Sequence, residues 1–164
     1  MSAEPTTASA TAHLAGKYLT FTLSGEEYGL SVLRVREIIK MMDITEVPQV
    51  PPYIRGVLNL RGKVIPVIDL RIKFGFAPGN VTSRTCIIIV EVALASGRVL
   101  MGIIVDHVLD VLNIVAEEIE QTPQFGDRVC TDYMKGVAKV KGTVKILLDL
   151  DRALGTDDAA VRAA

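Results

Sequence analysis

The chain has 164 residues, with 18 Lys plus Arg against 19 Asp plus Glu, and its net charge of −1 leaves no overall field to gather nucleic acid or an anionic membrane. This length allows one ordinary domain or two very small ones, and halves of about 65 residues are marginal alone, so packed repeats are favoured over free domains. Hydrophobic residues make up 49%, with no Trp and 5% aromatics, so the core is built from Val, Ile and Leu, which favours strands.

Residues 1–16 are rich in Ala, Ser and Thr without apolar periodicity and read as a disordered tail. From Lys17 the period is two. Leu19, Phe21 and Leu23 alternate with Thr20 and Thr22, and Tyr28, Leu30 and Val32 resume the pattern after Ser24-Gly25, which predicts a hairpin. The segment 35–47 (VREIIKMMDITEV) holds more apolar side chains than one small barrel can turn inward. They belong either to the core or to a Met-containing, adaptable partner surface. In 53–61, Ile54, Leu58 and Leu60 are expected to face the core, while Arg55, Asn59 and Arg61 share the other face with Val57. Arg55 and Arg61 are a solvated face or a protein anchor. Arg61-Gly62 turns the chain into 63–70, which Pro66 restricts to an edge strand or a bulge. Asp69 ahead of a Leu-x-x-x-Phe segment ending in Gly75 predicts a one-turn helix with an acidic N-cap and a glycine stop. Gly75–Ser83 reads as the link between halves. Strands follow near 85–92, 98–105, 107–115, 133–140 and 143–149, then a second capped turn at Asp149 and a tail over 156–164. Phe125 lies in TPQFGD, where it plugs a barrel end or faces a partner.

The stretch YIRGVLNLRGKVIPVIDLRIKFG at 53–75 recurs as YMKGVAKVKGTVKILLDLDRALG at 133–155, a constant offset of 80 with 8 identities in 23 positions. A second echo, YGLSVLRVREII at 28–39 against MGIIVDHVLDVL at 101–112, has an offset of 73. Two blocks in the same order mean that one small fold was built twice, and about five short strands per half suggest two small barrels.

Candidates for chemistry reduce to structural roles. Asp69 and Asp149 stand where helix caps are needed, which is preferred to a catalytic carboxylate pair. Asp106-His107 has no nucleophile motif with it, and RGKV at 61–64 lacks the spaced glycines of a phosphate loop. Cys86 and Cys130 are too few for a disulfide framework or a zinc site, so no metal, cofactor or catalytic residue is assigned. No apolar run approaches the roughly 18 residues of a membrane helix, and no signal-peptide pattern opens the chain, which reads as cytoplasmic.

EEYG at 26–29, VREI at 35–38, IRGVLNLRGKVIPVIDLR at 54–71 and VDHVLDV at 105–111 resemble the CheW family of chemotaxis coupling proteins, over Lys17 to about Leu154. The resemblance implies an all-β fold of two packed, five-stranded SH3-like β-barrels with short helical turns. Barrel one is expected over about 20–80, and barrel two over about 82–155 plus the start of the first strand (17–19). The implied function is a non-enzymatic adaptor joining the cytoplasmic tips of methyl-accepting chemotaxis receptors to the regulatory domain of the histidine kinase CheA. It would be recruited from the cytoplasm to membrane-associated arrays without inserting into the membrane. The kinase is expected to dock on the apolar edge Ile38, Met41, Ile44 and Val47 near Gly56, with Gly56→Asp weakening binding and sparing the fold. Receptor tips are expected between the barrels, at Glu37 and Arg61, with Val32, Val35, Met101 and Val105 as apolar walls. Phe125 is expected to make the contact that closes hexagonal rings. The alternative is a nucleic-acid-binding SH3-like barrel protein, against which the missing basic stripe argues; an enzyme ranks third.

Overall fold

The computed structural model describes residues 14–76, 81–94, 97–120 and 133–155. Strands β1 (Gly16–Leu23), β2 (Glu26–Ser31) and β3 (Val35–Lys40) are followed by β4 (Ile54–Leu60), β5 (Lys63–Asp69) and the single-turn helix α1 (Leu70–Lys73). The second half supplies β6 (Cys86–Leu94), β7 (Gly97–Val105), β8 (His107–Ile114), the two-residue β9 (Ile119–Glu120), β10 (Met134–Val140), β11 (Thr143–Leu148) and α2 (Leu150–Gly155). The protein is all-β, and its two sheets form a pair of SH3-like barrels.

The duplication is visible in local geometry. β4–β5 and β10–β11 are two-residue hairpins whose turns, Arg61-Gly62 and Lys141-Gly142, hold both residues at positive φ (51° and 88°, 53° and 80°). Two successive left-handed residues match the right-handed twist of a hairpin, and the Gly position accepts this without a Cβ clash. Each hairpin has a register shift just before Gly56 or Gly136. In each, the cap aspartate donates its N–H to the carbonyl of the tyrosine just ahead of the hairpin: Asp69 to Tyr53 and Asp149 to Tyr133, both at 2.8 Å.

Strand pairing departs from the expected division at about residue 80. The five-stranded sheet runs β3-β6-β7-β5-β4 and the six-stranded one β8-β1-β2-β11-β10-β9. Each half therefore contributes its leading hairpin to the sheet of the other half: β1–β2 sits between β8 and β11, and β6–β7 between β3 and β5. The first barrel (β3–β7) is thus not 20–80, and the second takes all of β1 and β2 instead of residues 17–19 alone. The physical reason lies in burial. Leu19, Phe21 and Leu23 of β1 face Ile88, Val90 and Val92 of β6 and Met101, Ile103 and Val105 of β7 in a central core shared by both sheets. The opposite faces of these hairpins line the barrels, with Tyr18 among Ile114, Ala138 and Leu147, and Ile87, Ile89 and Ile104 among Leu58, Ile65 and Val67. A hairpin with two apolar faces needs cover on both, and lying between two cores provides it.

Two smaller expectations change. Leu14 is 8% exposed and accepts the Tyr18 hydroxyl hydrogen bond on its carbonyl at 2.6 Å, so the ordered fold starts before Lys17. Pro66 is not on an edge strand. β5 lies between β4 and β7, but its parallel pairing with β7 begins at Val67, so the missing proline N–H is not required there. The N-terminal residues 1–13, the central linker residues 77–80 and Phe125 lie outside the described residues.

Candidate functional site

β3 is a terminal strand of its sheet, and its outward face presents Ile38, 42% exposed. The chain beyond it adds Met42, 40% exposed. Met41 and Ile44 are half-buried against the first barrel core of Leu58, Ile65 and Ile87, and Val47 is half-buried. Four of the residues expected at the kinase edge, Ile38, Met41, Ile44 and Val47, thus form a continuous segment with a partly exposed apolar face.

Gly56 does not belong to that face. It is buried at φ 141°, and a Cβ there would stand 2.0 Å from the Thr45 carbonyl oxygen and 2.8 Å from its carbon. Thr45 and Val57 exchange two backbone hydrogen bonds across this point, at 2.8 and 2.9 Å, which tie the apolar segment to β4. The expectation that Gly56→Asp spares the fold is therefore withdrawn, because any side chain must displace backbone.

Glu37 and Arg61 do meet: the Arg61 guanidinium grips the Glu37 carboxylate with both terminal nitrogens, one at 3.2 Å. That hydrogen bonding holds the Glu37 carboxyl below the usual carboxylate range. The pair joins β3 to the β4–β5 turn, bringing together the two terminal strands of the five-stranded sheet. It overlooks a groove of about 580 Å³ floored by Leu60, Ile65, Ile89 and Leu100. Glu91 lines the same groove, held low by hydrogen bonds from Arg36 first and from Arg98. All of these residues lie on the first barrel, so this groove is not the space between barrels.

The apolar walls divide. Val32 and Val35 are partly buried against the central core. Met101 and Val105 are 0% exposed and cannot line a docking surface. Their strand β7 is internal, with β6 on one side and β5 on the other, and their side chains fill the central core. Alternation alone cannot reveal this, since it marks the apolar face without saying what covers it.

The cap readings of Asp69 and Asp149 fit the geometry: Asp69 accepts from Arg71 N–H at 3.0 Å and Asp149 from Arg152 N–H at 3.2 Å. Asp106 does not orient His107. Its carboxylate receives Arg71 at 3.0 Å and the Ser24 N–H at 2.7 Å. Among the described residues no cluster of three or more His, Cys, Asp or Glu is arranged to hold a metal, and no helix is long and apolar enough to cross a membrane.

Sequence reasoning missed the charge pairs that tie the halves together. Arg71, 1% exposed, bonds Asp69 twice, at 3.0 and 2.9 Å, and reaches Asp106 in the other half. At the matching position of the second repeat stands Asp151, which receives Arg34 of the β2–β3 turn at 2.8 and 2.6 Å and the Ala93 N–H at 2.9 Å. The two clamps occupy related places with opposite polarity, helix cation to connection anion in one and helix anion to connection cation in the other. The substitution of Asp for Arg between the aligned repeats was the available signal.

The family pattern described as the CheW-like domain matches residues 17–158. The chemotaxis protein CheW of Klebsiella aerogenes is 37% identical over 145 residues, covering 88% of this chain and 85% of that protein. The chemotaxis protein CheW of Bacillus subtilis is 34% identical over 143 residues, covering 87% and 89%. The crystal structure of the scaffolding protein TtCheW from Thermoanaerobacter tengcongensis superposes with a TM-score of 0.75 at 35% identity, covering 85% of this chain and 92% of that one.

Proposed function

This chain belongs to the CheW-like domain family of chemotaxis scaffold proteins, and on that premise we propose that it is a non-enzymatic adaptor coupling receptor tips to the histidine kinase CheA. The observation that carries the kinase half is the apolar segment on terminal strand β3, where Ile38 and Met42 are 42% and 40% exposed above half-buried Met41 and Ile44. A sheet edge with uncovered apolar side chains offers both backbone groups and hydrophobic area to a partner. Burial of each such side chain supplies about 1.5–3 kcal/mol, or about 10- to 100-fold in affinity.

The receptor half rests on the forked Arg61–Glu37 pair at the mouth of the first-barrel groove, with Val32 and Val35 nearby in sequence on the β2–β3 turn and β3. Arg61 is largely exposed, and a planar guanidinium can exchange one carboxylate for another, fixing register where a lysine cannot. Recruitment to receptor arrays follows from that contact. Calorimetric titration with purified CheA regulatory domain tests the kinase half: Ile38→Asp and Met42→Asp should each weaken binding about tenfold or more. Unchanged isotherms for both refute this edge. Receptor binding that survives both Arg61→Lys and Glu37→Ala refutes the second contact.

A further inference from the structure

Two grooves of about 290 and 390 Å³ open side by side on the second barrel beside the β2–β3 turn, and Leu14, Ser31, Leu33 and Lys135 line both. The smaller one is lined by two charged side chains, Lys17 and Lys135, and by no carboxylate. In the larger one both acids are committed, Asp149 as the cap of α2 and Asp151 to Arg34 and the Ala93 N–H. Among the described residues no ion pair joins a carboxylate to Lys135. Its ammonium lies over the Tyr18 ring, 5.3 Å from the centroid, and burial pushes its pKa down against the pull of Asp149.

The other half of the duplication acts as an internal control. Arg55, the counterpart of Lys135 in the first repeat, is paired with fully buried Asp69 at 3.5 Å. Asp106, the counterpart of Leu33 in the second echo, is the acid that receives Arg71. Arg55 and Arg71 are thus each met by a carboxylate, as Lys139 and Lys145 of the second barrel are by Glu120 and Glu27. In the second barrel the position related to Asp106 is a leucine 83% exposed, the residue most exposed of the large apolar side chains described. A cation that makes no ion pair among the described residues, beside an uncovered leucine, is a matched pair of features for one kind of ligand.

We propose that this face binds a partner protein segment carrying a carboxylate next to an apolar side chain, the carboxylate on Lys135 and Lys17 and the apolar group on Leu33. The surface shares no lining residue with the Arg61–Glu37 groove, though Val32, counted with the receptor contact, also borders its smaller groove. The carboxylate and apolar contacts on Lys135, Lys17 and Leu33 rest on neither the kinase nor the receptor assignment. Charge complementarity selects an acidic segment, and the exposed leucine selects an apolar neighbour over a bare anion.

The test is a titration of the isotopically labelled full chain at low salt, followed by amide chemical shifts. The probes are acetyl-Leu-Glu-Leu-amide, its Gln counterpart and inorganic phosphate. With the Glu peptide, Ser31, Leu33 and Lys135 amides should shift saturably, and binding should be about tenfold weaker for the Gln peptide and for Lys135→Met, with recovery in Lys135→Arg. Leu33→Ala should also weaken it. Equal binding of the Glu and Gln peptides, no saturable shift, or undiminished binding by Lys135→Met overturns the proposal. Phosphate producing the same saturable shifts, with Glu-peptide binding undiminished by Leu33→Ala, reduces the face to an anion site and overturns it as well.

Discussion

Gly56→Ala is expected to be the most damaging single-methyl addition among the described glycines. The new Cβ would meet the Thr45 carbonyl oxygen at 2.0 Å, the Thr45 carbon at 2.8 Å and the Glu46 Cα at 3.0 Å, all of them backbone atoms. Relief requires the 45–46 segment to leave β4, which breaks the two hydrogen bonds exchanged by Thr45 and Val57. Two lost backbone hydrogen bonds at about 1 kcal/mol each, together with about 1–3 kcal/mol for a non-Gly residue held at φ 141°, give a loss of about 3–5 kcal/mol. That is a large part of the roughly 5–15 kcal/mol available to an ordinary domain. Urea unfolding measures it, with Gly62→Ala as the reference. Gly62 shares a positive φ (88°) but has open space around its Cβ, so its loss should be about 1–2 kcal/mol. Because the collision also releases the Met41–Val47 segment, Gly56→Ala should weaken kinase binding as a secondary effect. Equal midpoint shifts for the two variants would refute the reasoning, since they would mean that backbone conformation alone, and no collision, sets the cost.

Met101→Ala should lower stability by about 2–5 kcal/mol through a cavity in the central core; a receptor-binding defect at unchanged stability would return this residue to the surface. Asp151 titrates below its ordinary value because Arg34 bonds its carboxylate, with the Ala93 N–H adding to this and burial opposing it. A carboxyl depressed in the folded state contributes stability that is present above its unfolded pKa of about 3.9 and lost as pH falls through the folded value. Asp151→Asn should therefore flatten the acid limb of a melting-temperature profile below about pH 4; a limb as steep as that of the native protein counts against the clamp. Burial lowers the Lys135 pKa, so the unfolded chain binds more protons just below about pH 10.4 and stability rises with pH in that window. Lys135→Met should remove that rise and raise the melting temperature at pH 7, whereas a fall would show the ammonium to be well satisfied in the free protein.

Short-range physics was legible in the amino-acid sequence. Alternation at Leu19, Phe21 and Leu23 located β1, Arg61-Gly62 and Lys141-Gly142 located the hairpin turns, and Asp69 and Asp149 located the caps. The constant offsets of the two echoes revealed the duplication and, with the family motifs, the pair of barrels. Each of these signals is carried by residues within a few positions of one another or by copying of a whole block.

Tertiary structure decided which half covers which. Ile87–Val90 is a continuous apolar run, and that pattern says both faces of β6 are buried without naming the layers that bury them. The exchange of leading hairpins supplies those layers, and it moves Met101 and Val105 from a predicted docking wall to the deepest part of the protein. The same exchange brings Arg71 to Asp106 and Arg34 to Asp151, contacts separated by 35 and 117 residues. Gly56 reads in sequence as a strand residue, yet its identity is imposed by a carbonyl of the chain passing alongside it. Lys135 reads in sequence as one more lysine on an outward face, yet it is partly buried over the Tyr18 ring, and its neighbouring acids are committed elsewhere, so it makes no ion pair among the described residues. Alternation and turn chemistry fix faces and corners because they are local, while partners across a core are set by packing that no nearby residue encodes.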